Sequence, residues 1–198
     1  YARALKLKYP NHQIVAGNKE KGIVNDSVIF DNNPNIKRFS ELQNIQTIWI
    51  DSYSGHRPYF IKETENRYHW NINHKTQVCE LYFSKFEYQF ALNIISKAKK
   101  WWKKEKNYNF ENIIFLEPSR IKTTKNNASQ NRNWGLENWK KFVNIHKDKY
   151  LFVQSIFKNS DLISGTFKFE SNFREACAVL NKCDYTIGGE GGFTHAAA

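Results

Sequence analysis

The residues with the most chemical content lie at the end of the chain, in Asp184-Tyr-Thr-Ile-Gly-Gly-Glu190-Gly-Gly-Phe-Thr-His195-Ala-Ala-Ala. The apolar run ending at Ile187 reads as a buried strand, and Thr194 onward favours helix, so a helix is predicted to begin near Gly191. Unpaired N–H groups at a helix start, with the positive end of its dipole, suit an anion, and glycines let a diphosphate approach the backbone closely. Gly191, Gly192, Thr194 and His195 are therefore candidates for phosphate binding, with the Glu190 carboxylate beside them. The same residues also fit a plain strand-to-helix connection, with His195 as a packed or surface side chain.

Polar and aromatic side chains gather a second time between Asp51 and His74, in Asp51-Ser-Tyr-Ser-Gly-His56-Arg57-Pro-Tyr followed by His69-Trp70 and His74. The three histidines have neither the spacing of a helix face nor that of a zinc knuckle, so no metal is expected. Asp51, at a predicted strand end, is the internal candidate for a catalytic carboxylate; an ordinary surface loop is the alternative for the stretch as a whole. Glu117, Gln154 and Glu190 each follow a predicted strand, where ligands of parallel sheets bind.

The elements that must position these groups alternate as an α/β fold requires. Helix is predicted for 1–9, 76–86, 95–106, 136–146 and, from the capping-box pair Asn172 and Glu175, for 173–181. Strands are predicted for 13–16, 28–30, 47–50, 112–116, 150–154 and 184–187. Asn107-Tyr-Asn-Phe110 reads as a linker, giving one domain over 1–106 and another over 107–198. Such alternation argues for parallel sheets with helices on both faces.

Composition is that of a chain able to build one or two cores, with 40% hydrophobic residues, and no apolar stretch approaches the roughly 20 residues that span a bilayer. Cys79, Cys177 and Cys183 lack zinc-like pairing and read as reduced packing residues of a cytosolic protein. The net charge of +11 is densest in Lys97-Ala-Lys-Lys-Trp101-Trp102-Lys-Lys-Glu-Lys106. Three readings fit that run: a solvated helix face with its tryptophans inward, contact with an anionic membrane surface, or nucleic-acid binding. The chain shows no helix-turn-helix or RNA-binding aromatic signature, and no nucleic acid is expected.

Glu190-Gly-Gly-Phe-Thr-His195-Ala-Ala-Ala resembles the Asp-Thr-Gly-Pro-x-His-x-Ala-Ala signature of glycosyltransferase family 9, the heptosyltransferase-like enzymes. Ala2-Arg-Ala-Leu-Lys-Leu-Lys-Tyr-Pro10-Asn11 with Ile14-Val-Ala16 looks like that family's first helix and second strand. Glu117-Pro118, Lys122 and Asn131-Arg132-Asn-Trp134-Gly135 look like its loop with a basic residue before a tryptophan. The resemblance implies two Rossmann-like domains facing a cleft, the arrangement called GT-B, with an acceptor-side first domain and a nucleotide-sugar-binding second domain, both truncated in this chain.

It further implies an inverting, metal-independent and cofactor-free transfer from a nucleotide-sugar donor to a glycan or glycolipid acceptor of lipopolysaccharide type, in cell-envelope assembly. The protein would then be cytoplasmic, in peripheral contact with the inner face of the membrane. Glu190, Gly191, Gly192, Thr194, His195, Arg132 and Lys122 would hold the donor; Arg57 and His56 would face the acceptor. Glu190 would accept hydrogen bonds from sugar or ribose hydroxyls and His195 would donate to a phosphate or brace the turn. The family's catalytic aspartate follows its first strand and would precede Tyr1. Glutamate and glycine stand at 190 and 191 where the signature has aspartate and threonine, so the threonine contact does not carry over. A non-catalytic nucleotide- or glycan-binding domain of the same fold is the alternative, and a basic nucleic-acid-binding protein a further one.

Overall fold

A computed structural model describes residues 2–50, 60–64, 67–73, 75, 78, 80–118, 134–157, 160–189 and 191–197. The chain is an α/β protein that divides into two compact units, Tyr1–Tyr82 and Phe83–Ala198. A boundary after 106 was expected. The helix before that point instead packs on elements of the second unit, because its apolar stripe has partners there.

In the first unit, helix α1 (Ala2–Lys8) precedes strand β1 (Gln13–Asn18), which pairs antiparallel with β2 (Ile23–Val24) and parallel with β3 (Thr47–Ile50). Ile14 and Val15 supply its buried apolar contacts together with Ile36. Gln13 is buried as well, donating from Nε2 to the Gln43 carbonyl and to Thr47 Oγ1, both at 2.7 Å, and accepting from the Gln43 N–H at 3.0 Å. Residues 28–30, predicted as a strand, form a 3₁₀ turn. Ser27 caps it through the Ile29 N–H, and Val28 and Ile29 remain exposed. A hairpin of β4 (Phe60–Thr64) and β5 (Arg67–Trp70) follows, with a register shift between Lys62 and Thr64.

The second unit is built on a four-stranded parallel sheet: β6 (Ile113–Glu117), β7 (Leu151–Ile156), β8 (Phe167–Glu170) and β9 (Tyr185–Gly188), in the spatial order β8-β7-β6-β9. Covered on both faces, its central strands read as unbroken apolar runs, Ile113-Ile-Phe-Leu and Leu151-Phe-Val. Helix α3 (Leu136–His146) lies on one face, where Trp139 and Val143 pack with Ile114, Leu116, Phe152 and Ile163. Helices α2 (Lys85–Glu105), α4 (Phe173–Leu180) and α5 (Gly192–Ala197) share the other: α2 packs on α4, β7 and β8, and α5 on β9 and α4.

The start of α2 shows why helix does not cover 76–86 as predicted. Ser84 accepts from the Glu87 N–H at 3.2 Å and Glu87 accepts from the Ser84 N–H at 2.7 Å, a capping box that places the first turn at Lys85. Residues 80–84 are non-helical, and 76, 77 and 79 lie outside the described residues. The helix then continues through the segment predicted for 95–106. Its tryptophans point inward, as the solvated-face reading requires: Trp102 is 2% exposed and donates from Nε1 to the Tyr108 carbonyl at 2.8 Å. Phe110 packs on the same indole, so the expected linker is part of this unit's packing. Cys177 and Cys183 are likewise packing residues, burial pushing both thiols up to about 12; Cys79 lies outside the described residues.

Glu87 has a second partner across the helix pair. Arg174, 5% exposed, donates from Nε to Glu87 Oε1 at 2.6 Å and from the guanidinium to Oε2 at 3.0 Å. Burial opposes the Glu87 charge and is the largest influence on it. The hydrogen bonds from Arg174 and Ser84 together outweigh burial, holding the carboxyl below its ordinary range. A lowered folded-state value means stability that is present above the ordinary carboxyl range and lost as pH falls through the folded value. Breaking one side of a buried pair costs about 3–5 kcal/mol, so urea unfolding of Arg174→Met at neutral pH is expected to show a loss of that order, with Glu87→Gln/Arg174→Met recovering part of it.

Candidate functional site

The strand order sets the position of the site. β6 lies between β7 and β9, so the chain builds outward from β6 on one side through β7 and β8 and then crosses to the other with β9. Numbered within the unit, the order is 3-2-1-4, and ligands of such sheets bind beyond the strand carboxyl ends where the order reverses. That point falls between Glu117 and Gly188, which face each other in register.

Gly188 is fixed by crowding. A Cβ there would meet both the Cβ and the carbonyl oxygen of Glu117 at 3.0 Å. The Gly189 N–H then approaches the same carbonyl at 3.4 Å, and the turn is tied back by Thr194 Oγ1, which donates to the Gly189 carbonyl at 2.5 Å, and by the His195 N–H, which donates to the Gly191 carbonyl at 3.2 Å. Phe193 seats α5. It is 6% exposed, stacks on Phe173 and Phe157 with centroids 5.0 and 5.7 Å away, and meets Phe115 at 5.2 Å. Gly192 makes room for that stack, since a Cβ would lie 3.0 Å from Phe173. Gly191 faces open space. None of Gly188, Gly191 and Gly192 adopts left-handed torsions, so close approach, and not the tight turning suggested by their spacing, explains Gly188 and Gly192.

Thr194 and His195 are exposed beside the turn that follows β9. Glu117 borders it, half-buried at the end of β6 and, by strand alternation, on the same face as Phe115 and α5. Burial pushes its carboxyl up to about 7, and among the described residues nothing pairs with that carboxyl. Beyond β7 and β8 the same rim continues as a shallow depression lined by Ile156, Phe157, Glu170 and Ser171.

Of the predicted donor residues, the structure brings together Gly191, Gly192, Thr194 and His195. Glu190, Arg132 and Lys122 lie outside the described residues, as do Asp51, His56 and Arg57. Gln154 does not follow its strand but lies inside β7, 1% exposed, where it donates to the Asp161 carbonyl and accepts from the Ile163 N–H and Thr166 Oγ1. Its role is to close the β7–β8 connection. Among the described residues no three His, Cys, Asp or Glu side chains gather as metal ligands would. Glu117 was expected both in a loop motif and just past a predicted strand; it is the last residue of that strand, ending the apolar run Ile113-Ile-Phe-Leu.

Fold and site together define an α/β protein whose second unit carries a glycine-rich strand-to-helix turn at a reversal of strand order. No protein-family model, no curated protein and no solved structure matches the chain.

The two glycine environments separate by mutation. Gly188→Ala must displace β9 from β6 and is expected to cost about 1–3 kcal/mol, whereas Gly191→Ala should stay within about 0.5 kcal/mol of the parent in the same denaturant titration.

Proposed function

We propose that this protein is a nucleotide-sugar-dependent glycosyltransferase of the two-domain GT-B type, and that the donor's diphosphate is held at the carboxyl ends of β6 and β9. The observation that carries the reading is the strand order, which reverses between β6 and β9, where Gly188 lets β9 close against Glu117 and a parallel sheet of this order takes its ligand. Gly191, Gly192, Thr194 and His195, from the segment that resembles the family 9 signature, follow β9 in the turn and in α5.

In inverting transfer a carboxylate takes the acceptor's proton while the acceptor oxygen attacks the anomeric carbon, and the diphosphate leaves with added negative charge. Donors aimed at that charge lower the barrier, the work proposed for the amides around Gly191 to Thr194, for His195, and for Arg132 and Lys122. Arginine at 132 brings a fork that matches phosphate bidentately. Glu190 takes the sugar or ribose hydroxyls, Arg57 and His56 the acceptor, and Asp51 is the candidate base within the sequence.

Work at the cytoplasmic face of a membrane, on a glycan or glycolipid acceptor, fits α2. Lys97, Lys99, Lys100, Lys103 and Lys104 are exposed there while Trp102 is buried, so the ammonium groups are available to anionic lipid. Among the described residues no helix is long and apolar enough to cross a membrane.

The test is a thermal-shift titration of the full-length protein with ADP, UDP, GDP and CMP, repeated on the Glu190→Ala/His195→Ala double variant. One nucleotide at about 100 times its dissociation constant is expected to stabilise the parent by roughly 2.7 kcal/mol and to leave the double variant unmoved. No shift with any nucleotide, or an equal shift in the double variant, overturns the assignment. Binding without sugar transfer favours the non-catalytic alternative.

A further inference from the structure

We infer that the depression at the carboxyl ends of β7 and β8 is a subsite for a neutral, hydroxyl-rich ring, with Phe157 against the face of the ring and the Glu170 carboxylate on two of its neighbouring hydroxyls. This rests on the donor-site reading above and deepens it, with residues that lie outside every segment resembling family 9.

The hollow holds about 510 Å³ and is lined by Ile156, Phe157, Glu170 and Ser171. Ile156 and Glu170 form the last register pair of the β7–β8 ladder, so it opens where the two strands end. That is the edge of a parallel sheet at which ligands bind. Phe157 and Ser171 are held by contacts of their own. The Phe157 ring lies stacked on Phe193 with centroids 5.7 Å and planes 28° apart, and its N–H donates to Ser160 Oγ at 2.8 Å. Ser171 Oγ shares a hydrogen bond of 2.9 Å with Ser155 Oγ, which is buried. Both walls are therefore in position before a ligand arrives, which lowers the ordering cost of binding. The Glu170 carboxylate, by contrast, is exposed and has no ion pair or hydrogen bond among the described residues.

The side chains select the ligand. A carboxylate only accepts hydrogen bonds, and its two oxygens match neighbouring hydroxyls, while a serine hydroxyl both donates and accepts. An aromatic ring offers an apolar face to the C–H face of a sugar or to a base. No cation stands among the described residues of the lining, so a phosphate there meets only the negative charge of Glu170, and a neutral ring is favoured over it.

Position agrees with this division. With neighbouring strands about 4.8 Å apart, the β7–β8 end lies two strand spacings, roughly 10 Å, from the β6–β9 end proposed for the diphosphate. A nucleotide sugar carries a hydroxyl-bearing ring on each side of its diphosphate, the ribose on one and the transferred sugar on the other, and either spans that distance. The stack of Phe157 on Phe193 joins the two places, since Phe193 belongs to the helix that follows the β9 turn.

Isothermal titration calorimetry of the full-length protein tests the subsite and tells the two rings apart. The ligands are ADP, UDP, GDP and CMP, their 2′-deoxy forms and the corresponding nucleotide sugars. The proteins are the parent, Glu170→Ala, and Glu137→Ala, which removes an exposed carboxylate from α3. Glu170→Ala is expected to melt with the parent, because the side chain it removes is exposed, and to bind the accepted ligand roughly tenfold or more weakly, the scale of lost hydrogen bonds to a charged group. Glu137→Ala is expected to leave affinity unchanged. If the ring is the ribose, nucleotide and nucleotide sugar weaken alike, and the penalty for the 2′-deoxy form seen with the parent shrinks in Glu170→Ala. If it is the transferred sugar, the nucleotide sugar alone weakens.

Ligands bound by Glu170→Ala as tightly as by the parent, or more tightly because a repelling charge has gone, overturn the subsite and leave the donor site at the β6–β9 end intact. An equal loss in Glu137→Ala shows no specificity for this hollow and overturns the subsite as well. No binding of any of these ligands by the parent overturns the donor site and the subsite with it.

Discussion

The pairing of Glu117 with Gly188 is the constraint on which the second unit turns. β6 has to accept β7 on one side and β9 on the other, and β9 can close up only because position 188 carries no side chain. With that contact made, Phe193 reaches the pocket formed by Phe115, Phe157 and Phe173, α5 is seated, and the β9–α5 turn is held at the carboxyl ends of the strands. The apolar faces beneath are supplied by α3 on one side and by α2 and α4 on the other. Arg174 and Glu87 lock the latter two helices together through a buried, bidentate pair, in which Glu87 also caps α2. Cap, ion pair and helix packing therefore fail together if that carboxylate is lost.

Elements specified by local chemistry were legible in the sequence. α3 spans 136–146 as predicted, and the exchange between Asn172 and Glu175 starts α4 where the capping pattern places it. Elements that depend on distant partners were not. Val28-Ile-Phe30 has the apolar character of a strand, but Ser27 caps it into a 3₁₀ turn. Phe167-Lys-Phe-Glu170 is a strand because β7 is there to receive it, a pairing that no short window reveals.

The site was legible in a similar, partial way. The glycine run and the histidine stand out by type alone, and they do come together at the end of β9. What the sequence could not convey is why each glycine is there: Gly188 answers to Glu117, Gly192 to Phe173, and Gly191 to neither. Nor could it show that Glu117 ends half-buried beside that turn, since its environment is made by β9, an element 68 residues further along in the sequence at its first residue. The lysine-rich helix separated more cleanly, because Trp102 is buried while the lysines of the same run are exposed.

The most direct measurement of the account is hydrogen–deuterium exchange of the full-length protein with and without a saturating nucleotide sugar, resolved to short peptides. Occupation of the proposed donor site should slow exchange at the end of β6 and from Gly188 through His195, with α3 and its lysines unchanged. Protection that falls on α3 or along the lysines of α2 while 188–195 exchanges at its free rate would contradict the placement of the donor at the reversal of strand order.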